Sequence, residues 1–203
     1  MRRAGFLQAI FRGWGSGHTL ATVKWPPALP ERLACGVVSL IRFAAEDSPG
    51  LFAALDDDAA WEHIPRQIPT TADELGSALA TKIATGNRMT FTIRCDEAIV
   101  GTTSVIFDSV DPPGVEIGAT QLNPRMWGSG VNGAAKALLI EACFAAGATS
   151  IYFRTDERNH WSAAAIRKLG ARDLGIRQDT RTRRDGTVRR SRFFRLDPPG
   201  PLG

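Results

Sequence analysis

The sequence predicts a single-domain α/β protein with a mixed sheet, and three observations carry that reading. The chain has 203 residues and a mass of 21.9 kDa, the size of one core rather than two. Short Val- and Ile-rich runs alternate with segments of helical composition, in the order β-α-α-β-β-β-α-β-α-β-β. Composition is 43% hydrophobic and 23% charged, which excludes a disordered protein, a collagen-like repeat and a disulfide scaffold. No apolar run approaches the ~20 residues that cross a bilayer.

Residues 1–33 are rich in Gly, Pro and Trp without periodicity, and Pro26, Pro27 and Pro30 predict an irregular N-terminal extension. Met1 to Phe11 faintly resembles a signal peptide, but Arg12 cuts its apolar stretch to eight residues and no small-residue cleavage site follows. The domain is expected over 34–197, with a short tail at 198–203. Cys35 to Phe43 reads as one strand. Ser48-Pro49 supplies an N-cap and a first-turn proline for a helix through Leu55. Thr71-Ala72-Asp73-Glu74 is a capping box opening a second helix, which Gly86 closes.

Two strands follow, Met89–Cys95 and Ile99–Phe107, joined across Asp96-Glu97. Asp111-Pro112-Pro113-Gly114 makes a turn into a strand over Val115–Leu122. Gly130 to Ala146 has helical composition and stops at Gly147. Ser150–Arg154 is a short strand, and Asn159–Leu169 a helix ending at Gly170. Alternation in Leu174–Gln178 and Val188–Leu196 about Asp185-Gly186 signals a hairpin.

Charge is unevenly placed. The chain carries +4 overall, yet residues 167–195 hold ten Arg and Lys168 against three Asp, and the remainder is therefore acidic. A basic C-terminal face attracts nucleic acid, a phosphorylated cofactor or an acidic protein, or is a solvated hairpin. Cys35, Cys95 and Cys143 are widely spaced, and with His18, His63 and His160 they show no metal-ligand spacing. They are expected as reduced thiols packed like small apolar residues, in a cytoplasmic protein without a metal.

The most informative segment runs from Asn123 to Gly133, between a strand and a helix. Glycines there admit a ligand close to the backbone, and a helix N-terminus offers unpaired amides to a phosphate. Its text contains G-x-G-x-x-G at Gly128, Gly130 and Gly133, the dinucleotide fingerprint. Context argues against that fold. Pro124 to Trp127 separates strand from glycines, some 80 residues of helix and antiparallel strand precede the motif, and too few strand–helix units follow.

The same residues read as R-x-x-G-x-G at Arg125, Gly128 and Gly130. With Val115-Glu116-Ile117-Gly118 before the loop, Arg154 to Asn159, Asn159-His160-Trp161-Ser162, Lys168-Leu169-Gly170-Ala171 and Asp185-Gly186-Thr187, the chain resembles the GCN5-related N-acetyltransferases (GNAT), in their RimJ/RimL-like branch. The resemblance covers roughly residues 35–197. It implies a GNAT fold, with a mixed, mostly antiparallel sheet of six or seven strands flanked by about four helices. It also implies transfer of acetyl from acetyl-coenzyme A to a primary amine, on a protein N-terminus or a small molecule, in a ternary complex.

By that resemblance the strand bearing Glu116 splays from the next one beyond a bulge, and the pantetheine arm fills the gap. Backbone groups of Gln121, Leu122 and Asn123 pair with the arm, and the Leu122 amide polarises the acetyl carbonyl. The amides of Trp127, Gly128, Ser129, Gly130, Val131 and Asn132 hold the diphosphate, assisted by Arg125. Glu116 is the general base and Ser162 the proton donor to sulfur, because Ile166 stands where relatives carry a tyrosine. Asn159 bonds the cofactor or caps its helix. Trp61 and His63 lie where such enzymes shape the acceptor pocket. A ribosomal or acidic partner suits the arginines, and pairing through the final hairpin would give a homodimer. Two competitors remain, a basic nucleic-acid- or ribosome-binding module and a coenzyme A-binding domain without catalysis.

Overall fold

The computed structural model describes residues 28–107 and 114–199. The turn expected at Asp111 to Gly114 lies outside them except for Gly114 itself. Leu29 is buried in the main core, and the chain then enters a hairpin of β1 (Arg32–Cys35) and β2 (Val38–Arg42). Cys35 pairs with Val38 across Gly36-Val37. The single strand expected over 35–43 is thus two strands: Gly36 takes a left-handed turn and folds the apolar run back on itself.

A 3-10 turn at Ala45–Asp47 leads into α1 (Ser48–Ala54). Asp47, not Ser48, is its N-cap residue, and the Asp47 carboxylate faces the sheet, accepting from Thr92 Oγ1 at 2.7 Å and Arg94 Nη2 at 2.8 Å. A second 3-10 turn spans Asp58–Trp61, and α2 runs over Ala72–Ala84. The α2 cap differs from the expected box by one residue. Thr71 Oγ1 accepts from the Glu74 amide at 3.2 Å, but Glu74 reaches back to the Thr70 amide at 2.7 Å.

Next come β3 (Arg88–Cys95), β4 (Ala98–Ile106), β5 (Val115–Leu122), α3 (Val131–Ala145), β6 (Ile151–Asp156), α4 (His160–Arg167), β7 (Arg172–Thr182) and β8 (Val188–Leu196). One eight-stranded sheet results, in the order β1-β2-β3-β4-β5-β6-β8-β7. It exceeds the expected count because of the β1–β2 hairpin. Every pairing is antiparallel except β5 with β6.

Alternation along the strands sends their apolar residues to opposite faces. Leu40, Phe91, Ile93, Val105, Ile117 and Phe153 join Leu139 of α3 and Ile166 of α4 in the main core. On the other face Leu51, Trp61, Leu75 and Leu79 form a second cluster beneath α1 and α2. No helix among the described residues is long and apolar enough to cross a membrane. Of the cysteines, Cys143 is buried and desolvation pushes its thiol up to about 12. Cys95 is half-buried, and Cys35, expected to be packed, is exposed at the end of β1.

Two irregularities of β5 place the site. Ser104 opposes Gly118 and Thr102 opposes Gln121, so β5 carries one extra residue against Thr103. Ala119 in that bulge has φ +52°, an uncommon conformation for a residue with a side chain, of the kind found beside functional sites. On its other edge β5 meets β6 at only two pairs, Val115 with Ile151 and Glu116 with Tyr152. Beyond Glu116 the two parallel strands part and leave a V-shaped gap.

Candidate active site

The gap opens into a cleft of about 240 Å3. Glu116, Gln121, Asn159, Ser162 and His63 all line it. Glu116 and Gly118 are two residues apart on a strand and share the face toward α2. A Cβ on residue 118 would lie 2.9 Å from Glu116 Oε1, so a glycine there leaves room for the carboxylate. The Glu116 side chain is 17% exposed and its Oε2 lies 3.3 Å from Arg154 Nη2 on β6.

Asn159 caps α4, with Oδ1 accepting from the Ser162 amide at 2.8 Å. Ser162 is half-buried one turn into the helix, and Ile166, 2% exposed, sits in the cleft wall on the same helix face. Gln121 is buried; its Oε1 accepts from Arg66 Nη2 at 2.7 Å. Trp61 does not line the cleft. It is 3% exposed, donates Nε1–H to the Leu55 carbonyl at 2.8 Å and lies beneath the Arg66 guanidinium, 5.1 Å from its ring centre.

Past β5 the chain makes a 3-10 turn, Pro124–Met126, capped by Asn123 Oδ1 accepting from the Arg125 amide at 2.9 Å. Gly128 and Gly130 follow with φ +78° and +96°, values that favour glycine. Of the amides in this turn, those of Trp127 and Ser129 donate to the Pro124 and Met126 carbonyls, and that of Val131 to Ser129 Oγ. The Gly128 and Gly130 amides have no acceptor among the described residues, and Asn132 and Gly133 lie in the first turn of α3, where helix geometry leaves amides unpaired. Asn132 Oδ1 is buried without a partner. Arg125 is exposed, Trp127 is 53% exposed and donates Nε1–H to the Leu122 carbonyl at 3.3 Å, and Val131 is buried.

A Cβ on Gly128, Gly130 or Gly133 would meet nothing within 4 Å. The turn is therefore an open cradle of backbone donors. The third glycine is not pressed against a strand, as a dinucleotide fingerprint requires. Open glycines, free amides and one orphaned buried carbonyl suit a diphosphate and its pantetheine arm.

Several residues of the cleft carried no role in the sequence reading. Lys136 of α3 is 7% exposed, donates Nζ–H to Thr120 Oγ1 at 3.2 Å and sits 5.6 Å from the Phe153 ring centre; burial pulls its ammonium down to about 8. Its only sequence signal is a lysine inside the apolar run of α3. Arg66, Lys82, Arg88, Arg154, Arg181 and Arg189 come from six separate segments to the same cleft. Burial and the charge of Arg88 lower the Arg66 pKa, and burial followed by Arg66, Arg88 and Arg181 brings Lys82 down to about 8.

The arginines of the β7–β8 hairpin are engaged mostly within the fold. Arg183 donates to Asp156 at 2.9 Å and Glu157 at 3.2 Å, Arg167 and Arg192 both to Asp173 at 2.8 Å. Arg158 pairs with Asp185 at 2.8 Å and Arg195 with Asp197 at 2.6 Å. The basic face expected from the sequence is largely an internal charge lattice.

A bulged strand splaying from its parallel neighbour, with a glycine turn at a helix N-terminus beyond it, defines an acyl-transfer fold. The acetyltransferase (GNAT) domain model matches residues 38–172, and the chain belongs to this family of acetyl-CoA-dependent N-acetyltransferases. No curated protein matches it. Solved structures share the fold. One is a GCN5-related N-acetyltransferase from Brucella melitensis, at TM-score 0.74 and 18% identity over 86% of this chain and 83% of that one. Another is the Salmonella typhimurium acetyl transferase that modifies the N-terminal serine of 50S ribosomal subunit protein L7/L12, at 0.70 and 16% over 81% and 97%. A third is Mycobacterium smegmatis RimJ in complex with CoA-disulfide, at 0.68 and 21% over 88% and 91%.

Proposed function

We propose that this protein acetylates a primary amine by direct attack in a ternary complex, with no acyl-enzyme, in the cytoplasm. The observation that carries the proposal is the Glu116 carboxylate facing the cleft where β5 and β6 part. Edge groups of Gln121 to Asn123 receive the pantetheine arm as an added strand would be received. The amides of Gly128, Gly130 and Asn132 hold the diphosphate, since those of Trp127, Ser129 and Val131 are used within the turn.

Acetyl-CoA supplies the activated acyl group; the chain supplies placement and proton transfer. The Leu122 amide faces the acetyl oxygen and polarises the carbonyl. The ion pair with Arg154 holds the Glu116 carboxylate in place, and Glu116 then removes the amine proton directly or through a water. Ser162 Oγ gives a proton to the departing sulfur and takes one in turn from solvent. Burial first, and then the positive surroundings of the cleft, favour an amine in its neutral, nucleophilic form, as they do for Lys82. The binding-only alternative predicts coenzyme A affinity without turnover.

The test is thiol release from acetyl-CoA over a panel of amines and N-terminal peptides, beside a thermal-shift titration with coenzyme A. Intersecting initial-rate lines and a product heavier by one acetyl group support the proposal; parallel lines overturn it. Glu116→Gln should abolish most turnover and leave coenzyme A protection intact.

A further inference from the structure

The half of the cleft away from the cofactor cradle has a charge that the acetyl-transfer reading does not require. Seven cationic side chains line the cleft against two carboxylates, Glu116 and Asp156. Asp156 is already engaged by Arg183 at 2.9 Å and Arg189 at 3.7 Å. Glu116 is shared between Arg154, 3.3 Å away, and the more distant Arg88. Arg66 rests on neutral groups, the Gln121 amide and the Trp61 ring, and its buried Nε has no partner. Each charge that acts appreciably on Lys82 is cationic. Among the described residues, then, Arg66 and Lys82 crowd beside Arg88 with no anion except the Glu116 that Arg88 shares with Arg154.

Half-buried like charges without counterions are costly unless something anionic completes them. The three belong to different elements, the segment before α2, the end of α2 and the start of β3, so the fold has gathered them deliberately around one space. That space adjoins Glu116, where the amine must sit. We propose that the acceptor is a primary amine bearing a carboxylate a few bonds from its nitrogen, and that Arg66, Lys82 and Arg88 form the pocket that receives this carboxylate. This inference rests on the acetyl-transfer reading for the placement of the amine. It goes beyond that reading in naming the acceptor's charge.

A second consequence follows for Glu116. A substrate carboxylate that pairs with Arg88 weakens the competition for Glu116 and leaves its carboxylate to the amine. Acceptor binding thereby prepares the base, and an amine without the anion lacks both the anchor and this effect.

Two matched pairs test the proposal and separate its sources: glutamate against glutaminamide, and a peptide beginning Ser-Glu-Glu against one beginning Ser-Gln-Gln. With saturating acetyl-CoA, kcat/KM for the acidic member of at least one pair should exceed its partner by tenfold or more, and the advantage should shrink as salt rises. Lys82→Met, which keeps the stem and removes the charge, should lower that ratio several-fold without lowering the Tm. Preference for the small pair identifies a metabolite-sized acceptor and preference for the peptide pair a protein N-terminus.

Equal rates within both pairs, or a Lys82→Met variant that slows both members alike, overturn the proposal. Thermal shift with the N-acetylated forms of the same four compounds reads the pocket without chemistry. If no amine releases thiol, the acetyl-transfer reading fails. Stabilisation by the acidic N-acetyl compounds alone would then still support an anion pocket, and its absence would remove that too.

Discussion

Gly118→Ala changes neither acid nor base, yet it tests whether Glu116 works from where it stands. The new Cβ would lie 2.9 Å from Glu116 Oε1, against an ordinary van der Waals separation of about 3.5 Å. The carboxylate is the free end of a flexible side chain, so it swings away by roughly half an ångström or more, and its pair with Arg154 at 3.3 Å stretches or breaks. The fold hardly suffers. Residue 118 has an ordinary negative-φ backbone and Gly→Ala contributes about 0.4–1 kcal/mol through the unfolded chain, which offsets the contact. Catalysis is less forgiving: a displacement of about 1 Å at a reacting group costs on the order of 100-fold, or about 2.7 kcal/mol of barrier. The expected result is a kcat/KM lower by about 10- to 100-fold, a Tm within a few degrees of the parent, and an unchanged thermal shift with coenzyme A. Full activity in Gly118→Ala would refute the placement of Glu116 as base, and an equal loss of coenzyme A affinity would show that the strand itself had moved.

Gly128→Ala should weaken coenzyme A binding at least tenfold by calorimetry with about 1–2 kcal/mol of destabilisation, because φ +78° strains any side chain and the new methyl fills the open cradle. Lys136→Met should stabilise the protein at pH 7 by about 1–3 kcal/mol, since a buried ammonium drawn down from 10.5 to about 8 penalises the folded state. That penalty is complete below pH 8 and fades as the pH rises toward 10.5, so the advantage of the variant in denaturant melts should disappear across this window. Burial alone would raise the Asp156 pKa, but bonds from Arg183 and the Arg158 amide, with the charges of Arg189 and Arg183, outweigh it and hold the carboxyl below its usual range. Its contribution is present above the ordinary pKa of 3.8 and lost as acid is added; Asp156→Asn should cost about 3–5 kcal/mol near pH 7 and less under acid.

Elements with strong local signals were legible in the residues. Val115–Leu122 matches β5 end to end, and the helices over 72–84 and 131–145 lie within a residue or two of expectation at most ends. The β1–β2 hairpin was hidden because Gly36-Val37 interrupts a continuous apolar run and a two-residue turn leaves little trace in composition. Asp47 was missed as a cap because its carboxylate serves Thr92 and Arg94, forty-five and more residues away. In the cleft, Glu116, Asn159 and Ser162 stood in recognisable motifs, but Arg66, Lys82 and Arg88 each look like a solvated charge in isolation. Only the packing of α2 and the segment before it against the sheet brings them together, and no local pattern encodes that. The basic run erred the other way: it suggested an outward face, whereas Asp156 engages Arg183 and Arg189 and Asp173 engages Arg167 and Arg192.

The join between β5 and β6 is two residue pairs long, so along the backbone the sheet is a book of two leaves bound by a very short spine. The leaf of residues 32–122 carries Glu116, and the leaf of residues 151–196 carries α4 with Ser162. A guest lying in the fold of the book touches both pages, and what it gains in grip the book gains in cohesion.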